Sequence, residues 1–206
     1  MSMQARELET FLQSIGQVDV AQKAGDLAQE LEDRKILKIT PKVELPQGVR
    51  TETLKVGTLT KADFRARFEA MHITVPSSAQ DLIDKVTLST EEKPISLIFP
   101  TGRDLGLTAR APYREFLSAG QAKGYELCDP EVGLYLRIHD SKQPVNDVYW
   151  MAMEPIADRC GRPCVFALAH RSDGVWLDAY WAGSGRLWYP GNRLAFSLPA
   201  SEPQKL

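Results

Sequence analysis

The sequence predicts an α+β fold in which a helical amino-terminal part packs with a mainly antiparallel carboxyl-terminal sheet. Three observations lead there. Apolar residues recur at helical spacing as far as Gly124, and beyond it their period falls to two. The links between the later apolar segments are too short to contain crossover helices, and Asp173-Gly174 supplies a hairpin signal between two of them.

Taken in order, Leu8, Phe11, Leu12 and Ile15 are spaced for a helix that Gly16 ends, and Val20, Ala24, Leu27, Ala28 and Leu31 are spaced for a second. Residues 1–34 are therefore expected to form a helical arm or hairpin. With seven acidic against three basic side chains they are also the most acidic section, which suits a solvated helix face or an arm that docks on a partner. Residues 35–59 change character: the apolar Ile36, Leu37 and Ile39 give way to Pro41, Pro46 and Gly48. That composition suggests a linker flanked by edge strands, or a segment that wraps the core.

A compact α+β domain is expected over residues 60–199. Thr60 with Asp63, and Ser78 with Asp81, have the spacing of capping boxes and would open two helices carrying Phe64, Phe68 and Met71, then Leu82, Ile83 and Val86. Residues 95–99 form an apolar strand that Pro100, Gly102 and Gly106 terminate. A third helix is expected from Pro112, carrying Tyr113, Phe116 and Leu117 and stopping at Gly124. Strands follow at residues 134–139, 148–153, 165–170, 175–181 and 194–198, most simply arranged as an antiparallel meander. On the segment 175–181, alternation puts Val175, Leu177, Ala179 and Trp181 on a core face and Trp176, Asp178 and Tyr180 on an amphipathic one. Residues 200–206 read as a flexible tail.

Composition limits function. The 206 residues, 43% of them hydrophobic, can bury a sizeable core, so general disorder is excluded. Basic and acidic side chains, 25 and 27, nearly cancel to a net charge of −2, and no basic run is present to hold a phosphate backbone or an anionic membrane. No apolar run approaches the roughly 18 residues that a membrane helix needs. The start lacks a signal-like apolar stretch, and three cysteines are too few and odd for a disulfide scaffold, so a cytoplasmic location with reduced thiols is expected.

Several constellations bear on chemistry. Cys128 as nucleophile, His139 as base and Asp140 or Asp178 as orienter would make a thiol site, if an accessible thiolate met the imidazole. Glu131, Glu154 and Asp178 could pair as acid and base among the aromatic strands. Set against both, Cys128 beside Leu127 reads as a small buried apolar side chain, and scattered acids as surface charge. Cys160-Gly161-Arg162-Pro163-Cys164 is better explained by a turn than by zinc, because four protein donors are normally needed; no metal and no cofactor is expected. Neither Gly102-Arg103-Asp104-Leu105-Gly106 nor Gly183-Ser184-Gly185 has the spacing of a nucleotide-binding loop or a nucleophile elbow.

What remains is recognition. All four tryptophans and four of the six tyrosines lie beyond residue 134. If the alternating faces align, Tyr135, Arg137, Trp176, Asp178, Tyr180, Arg186 and Trp188 would form a contact surface, with aromatics supplying area and charged groups setting polar geometry. The function expected is a cytoplasmic protein-binding or assembly module, its partner another protein or a second copy. Alternatives are a small hydrolase centred on Cys128, His139, Glu154 and Asp178, and a structural oligomerisation domain. Single-stranded nucleic acid would need an aromatic platform beside a positive groove, and Asp173 and Asp178 interrupt the platform.

Overall fold

The computed structural model describes residue 43 and residues 45–199. The expected arm at 1–34 and the tail at 200–206 lie outside the described residues. Among those described, four helices and ten strands form a mixed α+β fold whose main sheet is mostly antiparallel. The strands are β1 (Thr51–Val56), β2 (Ile73–Thr74), β3 (Lys93–Ile98), β4 (Ala111–Pro112), β5 (Asp147–Met151), β6 (Ile156–Ala157), β7 (Pro163–Arg171), β8 (Gly174–Trp181), β9 (Leu187–Trp188) and β10 (Arg193–Ser197). The helices are α1 (Lys61–Ala70), α2 (Ser77–Lys85), α3 (Tyr113–Ala122) and α4 (Pro130–His139).

The large sheet runs β1-β3-β10-β5-β7-β8-β2, with β6 paired to β7; β4 and β9 make a separate two-stranded ribbon. Part of the segment 35–59 thus becomes an edge strand, since β1 pairs with β3 from Thr51 to Val56. The hairpin signalled by Asp173-Gly174 joins β7 to β8, and Gly174 takes φ +134°, a value only glycine adopts readily. A simple meander is not what forms. The chain leaves β8, passes through β9 and returns to the middle of the sheet, where β10 lies antiparallel to β3 and parallel to β5. Leu194, Ala195, Phe196 and Ser197 are all buried, as a strand covered on both faces requires.

Local signals explain the helix ends unevenly. At α1 the capping box is complete: the Thr60 N–H donates to Asp63 Oδ2 (2.8 Å), and the Asp63 N–H to Thr60 Oγ1 (3.2 Å). Ser78 and Asp81 make no such box. Helix α2 begins two residues earlier than that cap implies, after Pro76, and Asp81 instead accepts Nε and Nη2 of Arg159, each at 2.7 Å. At the end of α3, Gly124 (φ +82°) donates to Gln121 O and Tyr125 to Gly120 O, closing the last turn.

The largest departure is at residues 134–139, which are helical and not a strand. Pro130 at the first position, Glu131 in the first turn and Arg137 and His139 in the last are helix signals that the apolar alternation of Leu134, Leu136 and Ile138 obscures. Helix α4 is enclosed on nearly every side, Glu131 through Arg137 all being buried, so no 3.6-residue polar stripe exists to reveal it. Gly133 lets it approach the sheet closely: a Cβ there would sit 3.1 Å from Met151 and 3.4 Å from Phe166.

Helices α1, α2 and α4 cover one face of the sheet. Phe64 of α1 meets Tyr135 of α4 edge to face at 4.8 Å, and Leu54, Val56, Leu97, Leu168 and Leu177 are buried. The opposite face is covered only in part. Over β3 and β10 lies α3, whose Gly120 admits the Phe196 ring, and the β4–β9 ribbon turns Trp188 onto Trp150 and Tyr180. Toward Val148 and Trp176, beyond the reach of Trp188, this face is the least covered by described residues: Val148 is 37% exposed and Trp176 half-buried.

Candidate functional site

Residues paired directly across neighbouring strands share a face. The register Val148↔Ala169, Trp150↔Ala167, Ala169↔Trp176 and Ala167↔Asp178 therefore puts Val148, Trp150, Trp176 and Asp178 on the open side, with Tyr180 two residues beyond Asp178. Ala167 and Ala169 are small enough to make a floor, and a cleft of about 430 Å³ lies over them. Trp176, Asp178 and Tyr180 are half-buried, as an amphipathic face predicts. Trp181 departs from the expected core face: it is 42% exposed, and its ring lies over Gly183, where a Cβ would come 2.4 Å from the indole nitrogen.

Guanidinium groups lie on the aromatic rings of this region. Arg171 stands 4.5 Å over Trp176, Arg186 4.1 Å over Tyr180, and Arg110 4.1 Å over Tyr189. Such stacks contribute about 0.5–1 kcal/mol each at exposed positions and hold the guanidinium in a fixed orientation. Arg171 also donates to Asp178 Oδ2 (2.8 Å). Arg186 donates to the Tyr180 hydroxyl, and neither it nor Arg110 has a carboxylate partner among the described residues. Leu187 and Tyr189, on either side of the inward Trp188, are 52% and 53% exposed.

Three of the expected contact residues are buried. Tyr135 is buried, and its hydroxyl donates to Gly57 O and accepts the Leu59 N–H (2.9 Å), which ties α4 to the turn after β1. Arg137 is 2% exposed; its Nη1 donates to Gln143 Oε1 (2.6 Å) and its Nη2 to Asp140 O (2.8 Å). Trp188 is also 2% exposed, packed 5.1 Å from Trp150 and 4.9 Å from Tyr113. The indole nitrogens of Trp150 and Trp188 find no acceptor among the described residues, so packing holds that cluster. Strand alternation would put Tyr135 and Arg137 on a surface, and the buried helix that forms instead encloses both.

The proposed catalytic residues are not assembled into one site. Cys128 is buried, donates to Ala195 O at 3.4 Å, and has its thiol pushed well up by desolvation, the opposite of thiolate activation. His139 is exposed at the end of α4, with Nε2 3.5 Å from Glu52 Oε1. Glu154 is exposed, and Asp178 is paired to Arg171 on the open sheet face. Asp158 organises the Cys160–Cys164 loop: its Oδ1 accepts the N–H groups of Cys160 (2.8 Å) and Arg162 (2.9 Å), and its Oδ2 accepts Arg162 Nε (2.8 Å). Among the described residues there is no group of three or more His, Cys, Asp or Glu suited to a metal ion.

A second polar cluster lies where β1 meets α4, and sequence reasoning missed it. Asp140 accepts Arg50 Nη1 (3.0 Å) and the Tyr149 hydroxyl (2.6 Å), and Arg50 also binds Glu52. Burial pushes the Asp140 carboxyl up, but these hydrogen bonds outweigh it and hold the group below the usual carboxylate range. Arg50 lies 4.4 Å over the Phe99 ring as well, and its side chain is one-third exposed. The cluster holds the start of β1 to the end of α4 and, with His139, Ser141 and Lys142, lines a second cleft of about 610 Å³.

No family model, no curated protein and no solved structure matches this chain. Among the described residues no helix is long and apolar enough to cross a membrane.

Proposed function

We propose that the protein is a cytoplasmic binding module that takes an acidic segment of a partner protein on the open face of its sheet. The observation that carries this is the pair of guanidinium-on-aromatic stacks on β8, Arg171/Trp176 and Arg186/Tyr180, with a third, Arg110/Tyr189, at the ribbon; Arg186 and Arg110 lack any carboxylate partner among the described residues. Apolar surface and oriented, uncompensated positive charge together suit carboxylates set among apolar side chains. The exposed Leu187 and Tyr189 add apolar surface on the neighbouring ribbon. The aromatic faces are already capped by arginine, and Asp178 and Asp173 lie beside Trp176, which disfavours base stacking and phosphate. Three unpaired cysteines suit a reducing compartment.

The test compares matched acidic and basic decapeptides containing the same apolar residues. The wild-type protein is expected to prefer the acidic set, and Arg110→Glu with Arg186→Glu to reduce that affinity at least tenfold while the thermal midpoint stays within a few degrees. Equal affinity for both sets, or an unchanged preference in the double variant, contradicts the proposal. Preference for an oligothymidylate would indicate nucleic acid, and dimerisation that blocks the face would indicate a second copy.

A further inference from the structure

We infer that the acidic partner segment binds as an added β-strand along the outer edge of β8, an inference that rests on the binding role proposed for this face. The two-residue turn makes Arg171 and Gly174 a hydrogen-bonded pair, so Trp176, Asp178 and Tyr180 direct their amides and carbonyls to β7. Val175, Leu177, Ala179 and Trp181 direct theirs outward. Only the first part of that edge is used: β2 is two residues long and pairs in register with Val175 and Trp176, and Pro76 stops its continuation.

Beyond β2 the edge has no backbone partner among the described residues. The Ala179 N–H, which points outward, is instead taken by the Asp178 side chain, Oδ1 at 2.8 Å. Such a side-chain cap is one way a protein protects an open edge, and it is readily displaced by a strand that supplies a carbonyl. Asp178 would then keep Arg171, which already binds its other oxygen. An added strand would lay alternate side chains on the two faces of the sheet. Those on the open face would lie beside Trp176, Asp178 and Tyr180, within reach of the Arg186 guanidinium. Those on the other face would lie beside Ala179 and the exposed Trp181. The segment that fits is therefore extended, with acidic residues alternating with apolar ones.

A fluorescein-labelled peptide of five Val-Glu repeats, titrated by anisotropy, tests this. Two further versions carry backbone N-methyl groups, one on every Val and the other on every Glu. A strand added at one edge uses only one of these two sets of amides, so one methylated peptide should bind at least tenfold more weakly than the other. Ala179→Pro, which removes an outward amide and leaves the bonds to β7, should weaken the unmethylated peptide by a similar factor. Equal effects of the two methylation patterns, whether none or complete loss, overturn strand addition whatever the variant does. If the unmethylated peptide binds and Arg186→Glu weakens it while methylation patterns are equivalent, the binding face stands and the strand inference fails. If that peptide does not bind, or binds regardless of Arg186→Glu, the reading of the face fails with it.

Discussion

At the scale of single residues, polarity in the sequence was a poor guide to exposure because the partners are remote. Tyr135 looks like a surface group until Gly57 and Leu59 are brought to its hydroxyl, and Glu131 until Ser89 donates its N–H at 2.8 Å. Cys128 is the opposite case: an apolar neighbour suggested burial, and the thiol is buried. The Asp140 cluster gives a pH prediction. Its carboxyl is depressed below the ordinary value of 3.8 by Arg50 and Tyr149, so its stabilisation is complete above that value and is lost as pH falls through the folded-state value. Asp140→Asn should lower stability at neutral pH by about 1–3 kcal/mol, since the one-third-exposed Arg50 and the buried Tyr149 hydroxyl lose a charged partner. The deficit should shrink toward pH 2 in thermal unfolding; a deficit constant from pH 7 to pH 2 would mean that the charge does not contribute.

At the scale of elements, legibility followed solvent contact. Helix α1 has an exposed side and a complete cap, and both were readable from Thr60, Asp63, Phe64 and Phe68. Helix α4 has almost no exposed side, so its period vanished and Leu134, Leu136 and Ile138 imitated a strand. The hairpin between β7 and β8 was legible from two residues, whereas the central insertion of β10 depends on pairings with β3 and β5 that no local pattern encodes. The seat of α3 depends on Gly120, because a Cβ there would stand 2.4 Å from the fully buried Phe196 ring. Gly120→Ala should therefore destabilise by about 1–3 kcal/mol in denaturant unfolding, despite alanine's better helix propensity. A neutral or stabilised variant would show that α3 and β10 do not pack as described.

At the scale of the whole molecule, the asymmetry of the sheet matters most. Among the described residues, one face is covered by α1, α2 and α4; on the other, α3 lies against Phe196 of β10 and the β4–β9 ribbon sets Trp188 on Trp150 and Tyr180, which leaves Val148 and Trp176 the least covered. The alternation on β8 made half of this readable, placing Trp176, Asp178 and Tyr180 together. Alternation puts Trp181 on the core face, so its exposure is not legible, and neither is the stacking of Arg110 on Tyr189, because the ribbon beside Tyr189 forms between Ala111 and Trp188, far apart in the chain. The most direct measurement is amide and indole chemical-shift mapping of the uniformly 15N-labelled protein during titration with the Val-Glu peptide. The account predicts saturating shifts at the Ala179 and Trp181 amides and at the Trp176 indole, with the Asp140 cluster unmoved. Shifts confined to the surroundings of Arg50 and His139, or none at β8, would contradict it.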